Sequence, residues 1–147
     1  MFVVDTNVLI YAANARAREH ARCHALLEEW RNSAGAWYVT WGICYEFLRV
    51  VTHPRILPRP WSAAGAQQFL STLFQSPGLG VLVATDRHAQ VLAHVIGDVP
   101  LLAGNLMHDA ETAVLMREHG IRRICTRDTD FHRFAFLDVV DPMVAQP

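Results

Sequence analysis

At 147 residues the chain has the length of one packed domain, and 52% hydrophobic against 18% charged residues excludes a disordered chain. A net charge of −1 excludes a protein that binds polyanions by bulk charge, while leaving room for a local basic patch. All thirteen basic residues are Arg, which reads as compositional bias before any preference for phosphate.

From the N-terminus, FVVD reads as a short buried strand ending at Asp5, with Asn7 capping a helix over VLIYAANA. AREHARCHALLEEWRNS is amphipathic: Cys23, Leu26, Leu27 and Trp30 fall on one helical face, and Arg18, Arg22 and Glu29 on another. AWYVT reads as a second strand. WGICYEFLRVVT follows with helical spacing, Ile43, Phe47, Val50 and Val51 on one side. THPRILPRPW carries three prolines and must be a loop, after which Ser62 caps a helix running to Phe74. GLGVLVA reads as a third buried strand. Thr85 or Asp86 caps a helix over RHAQVLAHVIG, and GDVPLLAGN is a connector. HDAETAVLMREHG is a helix closed by Gly120, IRRICT a fourth strand, TRDTDF a polar turn and FLDVV a last strand.

Strands that alternate with helices imply parallel strands covered on both faces, a three-layer α/β/α sandwich with a mainly parallel sheet. One domain over residues 1–147 is expected. The glycines form neither a dinucleotide fingerprint nor a phosphate-binding loop. Cys23, Cys44 and Cys125 are odd in number and lack a CxxC pair, so buried reduced thiols are expected rather than disulfides or zinc ligands. The first residues carry Asp5 and no cationic segment, and no apolar run reaches membrane-spanning length. The expectation is a cytoplasmic protein with no membrane partner.

In open α/β sheets, ligands bind beyond the carboxyl ends of the strands. Asp5 ends the first strand, and Asp128 and Asp130 follow the fourth. Glu46 lies a turn into the helix after AWYVT, and Asp109 near the start of its helix, where the dipole favours negative charge. A lone acid at any of these places would be an ordinary cap or a solvated side chain, and Glu46 has Arg49 three residues on as a surface ion partner. Together they place several carboxylates on one rim. Close carboxylates repel, so such a rim is explained by a hard cation, Mg²⁺ or Mn²⁺, and by metal-assisted phosphodiester hydrolysis. His20, His24 and Glu28 share a helical row but lack the HExxH arrangement, and read as a solvated face. His108, beside Asp109, is a minor site candidate. The apolar stripe Leu9, Ala12 and Ala13 reads as core, with the lining of a partner groove as the other reading.

FVVDTNVLIYA, YEFLRVVTHPR, GNLMHDAETAVLMREHG and ICTRDTDFHRF, in that order, resemble the PIN-domain family, and within it the VapC ribonuclease toxins. The resemblance implies Asp5, Glu46, Asp109 and Asp128 as catalytic acids around Mg²⁺ or Mn²⁺, with Asp130 a further ligand or brace. Thr6, Asn7 and Thr126 match polar positions that hydrogen-bond the acids. RNA as substrate, a homodimer and a cognate VapB-type antitoxin are implied in the same way. Arg49, Arg55 and His108 are candidates for holding RNA, and Arg59 and Trp61 are further candidates near the rim. Two other readings stand beside this one. A Mg²⁺-dependent phosphatase or phosphoryl-transfer domain is weakened by DTN where a phosphoenzyme hydrolase would show DxDx[TV]. A non-catalytic PIN-like module that regulates transcription would need its DNA contacts from a partner, because no helix-turn-helix or basic arm is visible.

Overall fold

The computed structural model describes residues 1–144; the last three residues of the expected 1–147 domain lie outside it. Five strands form one sheet in the order β3-β2-β1-β4-β5, and every pairing is parallel. They are β1 (Phe2–Val4), β2 (Trp37–Thr40), β3 (Leu79–Leu82), β4 (Arg123–Cys125) and β5 (Asp138–Val140). Six α-helices flank the sheet: α1 (Thr6–Ala13), α2 (His20–Asn32), α3 (Trp41–Val51), α4 (Ala63–Phe74), α5 (His88–Asp98) and α6 (Leu106–Glu118). The expected sandwich is thus present, and its sheet is wholly parallel. None of these helices is long and apolar enough to cross a membrane.

The core follows from the apolar pattern. Val3, Val4, Ile124 and Cys125 of the two central strands are fully buried, as parallel strands covered on both faces require. Leu9 and Ala12 are core as expected, while Ala13 is only half-buried. Phe47 of α3 stacks on Phe69 of α4 with ring centroids 5.0 Å apart, and Trp61 meets both edge-on. All three cysteines are free and buried, and burial pushes their thiols up to about 11, 11 and 12, which leaves them inert.

Several local expectations are corrected. Asp5, not Asn7, caps α1: its Oδ1 accepts the Thr6 N–H at 2.7 Å, and Asn7 lies inside the first turn. β3 is an edge strand and mostly half-buried, because strand order, not composition, decides which strand is covered. Neither Thr85 nor Asp86 caps α5; Arg87 holds that position without a side-chain bond, and the Thr85 hydroxyl accepts the Arg87 N–H one turn earlier. Ser62 does cap α4, and Gly120 follows α6 at φ +68, the left-handed turn its lack of a Cβ permits.

The order of the strands fixes where the chain's chemistry sits. From β1 the chain moves to β2 on one side, and from β3 it returns to β4 on the other side of β1. That reversal opens a crevice at the carboxyl ends of β1 and β4, where Asp5 and Thr126–Asp130 emerge.

Candidate active site

Asp5 is the anchor of the crevice. Its backbone N–H donates to the Cys125 carbonyl at 3.1 Å, which locks the end of β1 to the end of β4. Its Oδ2 accepts from Asn7 Nδ2 and from the Thr126 hydroxyl, each at 2.6 Å. Only 8% of Asp5 is exposed. Burial raises its pKa to about 6; the Thr126 and Thr6 hydrogen bonds temper the rise, and the Asp128 and Glu46 charges add to it.

The other acids arrive on two further elements. Asp109 sits in the first turn of α6, and Asp128 caps the 3₁₀ helix Thr129–Arg133 by accepting the Asp130 N–H at 2.9 Å. Carboxylate oxygens of Asp109, Asp128 and Asp130 lie within 4.8 Å of one another. Asp109 feels this most. Burial, then the charges of Asp128, Asp5 and Asp130, raise its pKa to about 7.

Residues 2–137 match the PIN domain family. The chain belongs to that family. Ribonuclease VapC48 of Mycobacterium tuberculosis (strain ATCC 25618 / H37Rv) is 30% identical over 138 residues, covering 94% of each chain. Among solved structures, Mycobacterium tuberculosis VapC20, described as a Sarcin-Ricin loop cleaving toxin, superposes with a TM-score of 0.63 at 19% identity, over 90% of this chain and 93% of that one. VapBC2 from Rickettsia felis, solved bound to a DNA fragment from their promoter, superposes at 0.66 with 16% identity, over 95% and 96%. At these identities the two structures speak for the fold of the PIN domain alone.

Not every sequence candidate converges in this PIN domain. Glu46 is on the second turn of α3, but Arg49 clamps it with Nε at 2.7 Å and Nη2 at 2.6 Å. That hydrogen-bonded pair holds the Glu46 pKa below the usual carboxylate value. Glu46 therefore adds charge near Asp5 without joining the three-acid cluster. Arg49, expected at RNA, is engaged by Glu46. His108 is exposed and close enough to Glu46 to favour its charge. Arg55 is exposed in the loop after α3, its backbone N–H bonded to His53 Nδ1. Thr6 donates its N–H to Asp5, and its hydroxyl reaches the Ile43 carbonyl at 3.5 Å. His20 turns its Nδ1 to the Tyr11 carbonyl and Glu28 pairs with Arg31, so that row builds no metal site.

Two arginines of the turn, Arg127 and Arg133, pair with acids around it. Arg127 donates its backbone N–H to Asn7 Oδ1 at 3.2 Å and pairs with Glu19 and Asp141. It thereby ties the acidic turn to the start of α2 and the end of β5. Arg133 Nε lies 3.2 Å from Asp130 Oδ1, one turn along the 3₁₀ helix. The i,i+3 spacing of the second pair was readable; Glu19, 108 residues from Arg127, was not.

Proposed function

We propose that the chain is a divalent-metal-dependent endoribonuclease, the toxin of a VapBC-type toxin–antitoxin pair, working on RNA in the cytoplasm with Mg²⁺ or Mn²⁺. The observation that carries this reading is the convergence of Asp109, Asp128 and Asp130 beside buried Asp5, at the switch point of a PIN domain related to Ribonuclease VapC48. Donors that are all oxygen suit a small hard cation, and the absence of His and Cys from the set argues against zinc.

Asp109, Asp128 and Asp130 would hold the cation, with Asp5 completing the acid set. A bound divalent cation supplies Lewis acidity, which lowers the pKa of water and supports a developing oxyanion. Asp109 would hold the cation as a carboxylate and would give up its proton on binding, since burial and neighbouring negative charge both raise its pKa. Asp5, with a pKa of about 6 and three hydrogen bonds fixing its carboxylate, is suited to take a proton from the attacking water. Glu46 stays anionic under Arg49 and acts through its field.

The same reading gives the protein two protein partners. Trp41, Tyr45 and Phe74 form an exposed aromatic face on α3 and α4, with ring centroids 5.7 and 6.4 Å apart, of the kind a second copy covers. An antitoxin tail carrying Arg or Lys would pair with the carboxylates and compete with the metal. The test is incubation of the purified protein with RNA and with a chromogenic phosphate ester, each with and without Mn²⁺. Metal-dependent RNA cleavage without ester turnover is expected; ester turnover without RNA cleavage puts a phosphatase in its place.

A further inference from the structure

Away from the acids, the far ends of α1 and α3 frame a cleft of about 220 Å³. Ala13, Val51, Leu57 and Trp61 line its apolar part, and Arg16 and Arg59 line its rim. Among the described residues no carboxylate lines it. Eight ion pairs tie up other side chains, but among the described residues neither Arg16 nor Arg59 forms one. The Trp61 ring is held in place by Phe47 and Phe69, and its backbone N–H donates to the Val51 carbonyl at 2.8 Å, so the wall is preformed. Pro58 and Pro60 flank Arg59 and stiffen the loop that presents it.

The cleft is built on the same two helices that begin at the acidic crevice. α1 starts next to Asp5 and ends at Ala13; α3 carries Glu46 and ends at Val51. At about 1.5 Å of rise per residue, the cleft lies roughly 10 Å from the acids along these helices. An RNA strand cut at the acids and running along α1 and α3 meets a ring-sized apolar slot with a cation on its rim. A base stacked inside a duplex cannot enter such a slot, whereas an unstacked one can. We propose that the cleft takes one unpaired base of the RNA substrate against Trp61, with Arg16 and Arg59 holding the phosphates on either side. The proposal rests on the ribonuclease reading and adds a single-stranded requirement away from the scissile bond.

The test separates the two readings. Binding of a fluorescent single-stranded RNA oligonucleotide is measured in EDTA across a salt series, for the wild type, Arg16→Gln/Arg59→Gln and Ala13→Trp. Cleavage by the wild type with Mn²⁺ is measured separately and reads the ribonuclease assignment alone. The double variant is expected to lose about tenfold or more in affinity, with a salt slope smaller by about two phosphate contacts. Ala13→Trp, which fills the slot without changing charge, is expected to weaken binding with an unchanged slope. A Mn²⁺-induced rise in Tm in each variant shows that the acidic crevice is intact. Wild-type affinity and slope in the double variant overturn the proposal. So does a double variant that keeps RNA but loses an Asp/Glu-rich peptide with a Leu or Trp anchor, which assigns the cleft to a protein.

Discussion

The Thr126 hydroxyl donates to Asp5 Oδ2 at 2.6 Å across 121 residues of sequence, and it has no freedom to do otherwise. It already accepts from Asn7 Nδ2 at 2.8 Å and from the Asp128 N–H at 2.9 Å, so both of its lone pairs are used and its one proton must face Asp5. One hydroxyl thereby fixes the anchoring acid, the helix that follows it and the turn that brings Asp128.

That saturation makes the side chain at position 126 sensitive to polarity rather than size. Thr126→Val keeps the shape and loses all three bonds, and is expected to lower metal affinity or RNA cleavage by about 10- to 100-fold. Thr126→Ser keeps the hydroxyl and is expected to stay within a few-fold of wild type. Equal activity in Val and Ser variants shows that the hydroxyl does not position the acids.

Crowding at Asp109 has a stability signature. Its carboxyl sits at 3.8 by default and at about 7 when folded. Between those values the folded state binds more protons than the unfolded one, so the contribution of Asp109 to stability is full below 3.8 and is lost as pH rises through about 7. Without divalent cation, the Tm of wild type is expected to fall relative to Asp109→Asn across that window. A Tm difference that does not vary with pH contradicts the assigned repulsion.

Added Mn²⁺ reverses that loss. Because only the folded chain assembles the acids, saturating Mn²⁺ is expected to raise the wild-type Tm, by an increment that grows with ligand concentration. Asp109→Asn is expected to show little of this rise. A wild-type Tm unmoved by saturating Mn²⁺ or Mg²⁺ speaks against a formed cation site.

A backbone close approach offers a control far from the chemistry. A Cβ on Gly78 would sit 2.2 Å from the Gly35 carbonyl oxygen, where the chain enters β3 beside β2. Gly78→Ala is expected to cost about 1–3 kcal/mol by overpacking against backbone that cannot step aside. Gly97 in α5 meets nothing within 4 Å, so Gly97→Ala is expected to stabilise by up to about 1 kcal/mol. Chemical denaturation of both variants checks the pair, and a neutral Gly78→Ala contradicts the packing.

Much of this arrangement was legible because buried parallel strands are written as unbroken apolar runs that stop abruptly at acids. Asp5 after FVV and Asp128 after IRRICT need only the rule that ligands bind beyond strand ends. The choice between Asp5 and Asn7 as cap was not legible. Both are good caps locally, and the decision comes from Thr126, 119 residues from Asn7. The edge position of β3 depends on strand order, which composition does not encode. The Glu46–Arg49 clamp was visible as an i,i+3 spacing, but that it closes, leaving Glu46 outside the cluster, is a matter of side-chain rotamers. A further network escaped entirely. Buried Glu118 accepts from the Thr85 N–H and hydroxyl and pairs with His88, stapling the loop before α5 to the end of α6, where the sequence suggested only helix caps.

The most direct test of the metal-ribonuclease account is the rate of RNA cleavage by purified, folded Asp5→Asn beside wild type at saturating Mn²⁺. Losing an acid of the site itself is expected to exceed the effect of losing its supporting partners, so a fall of about 100-fold or more is predicted, with circular dichroism unchanged. A folded Asp5→Asn protein that cuts RNA at the wild-type rate would show that the buried carboxylate at the end of β1 is not part of the machinery.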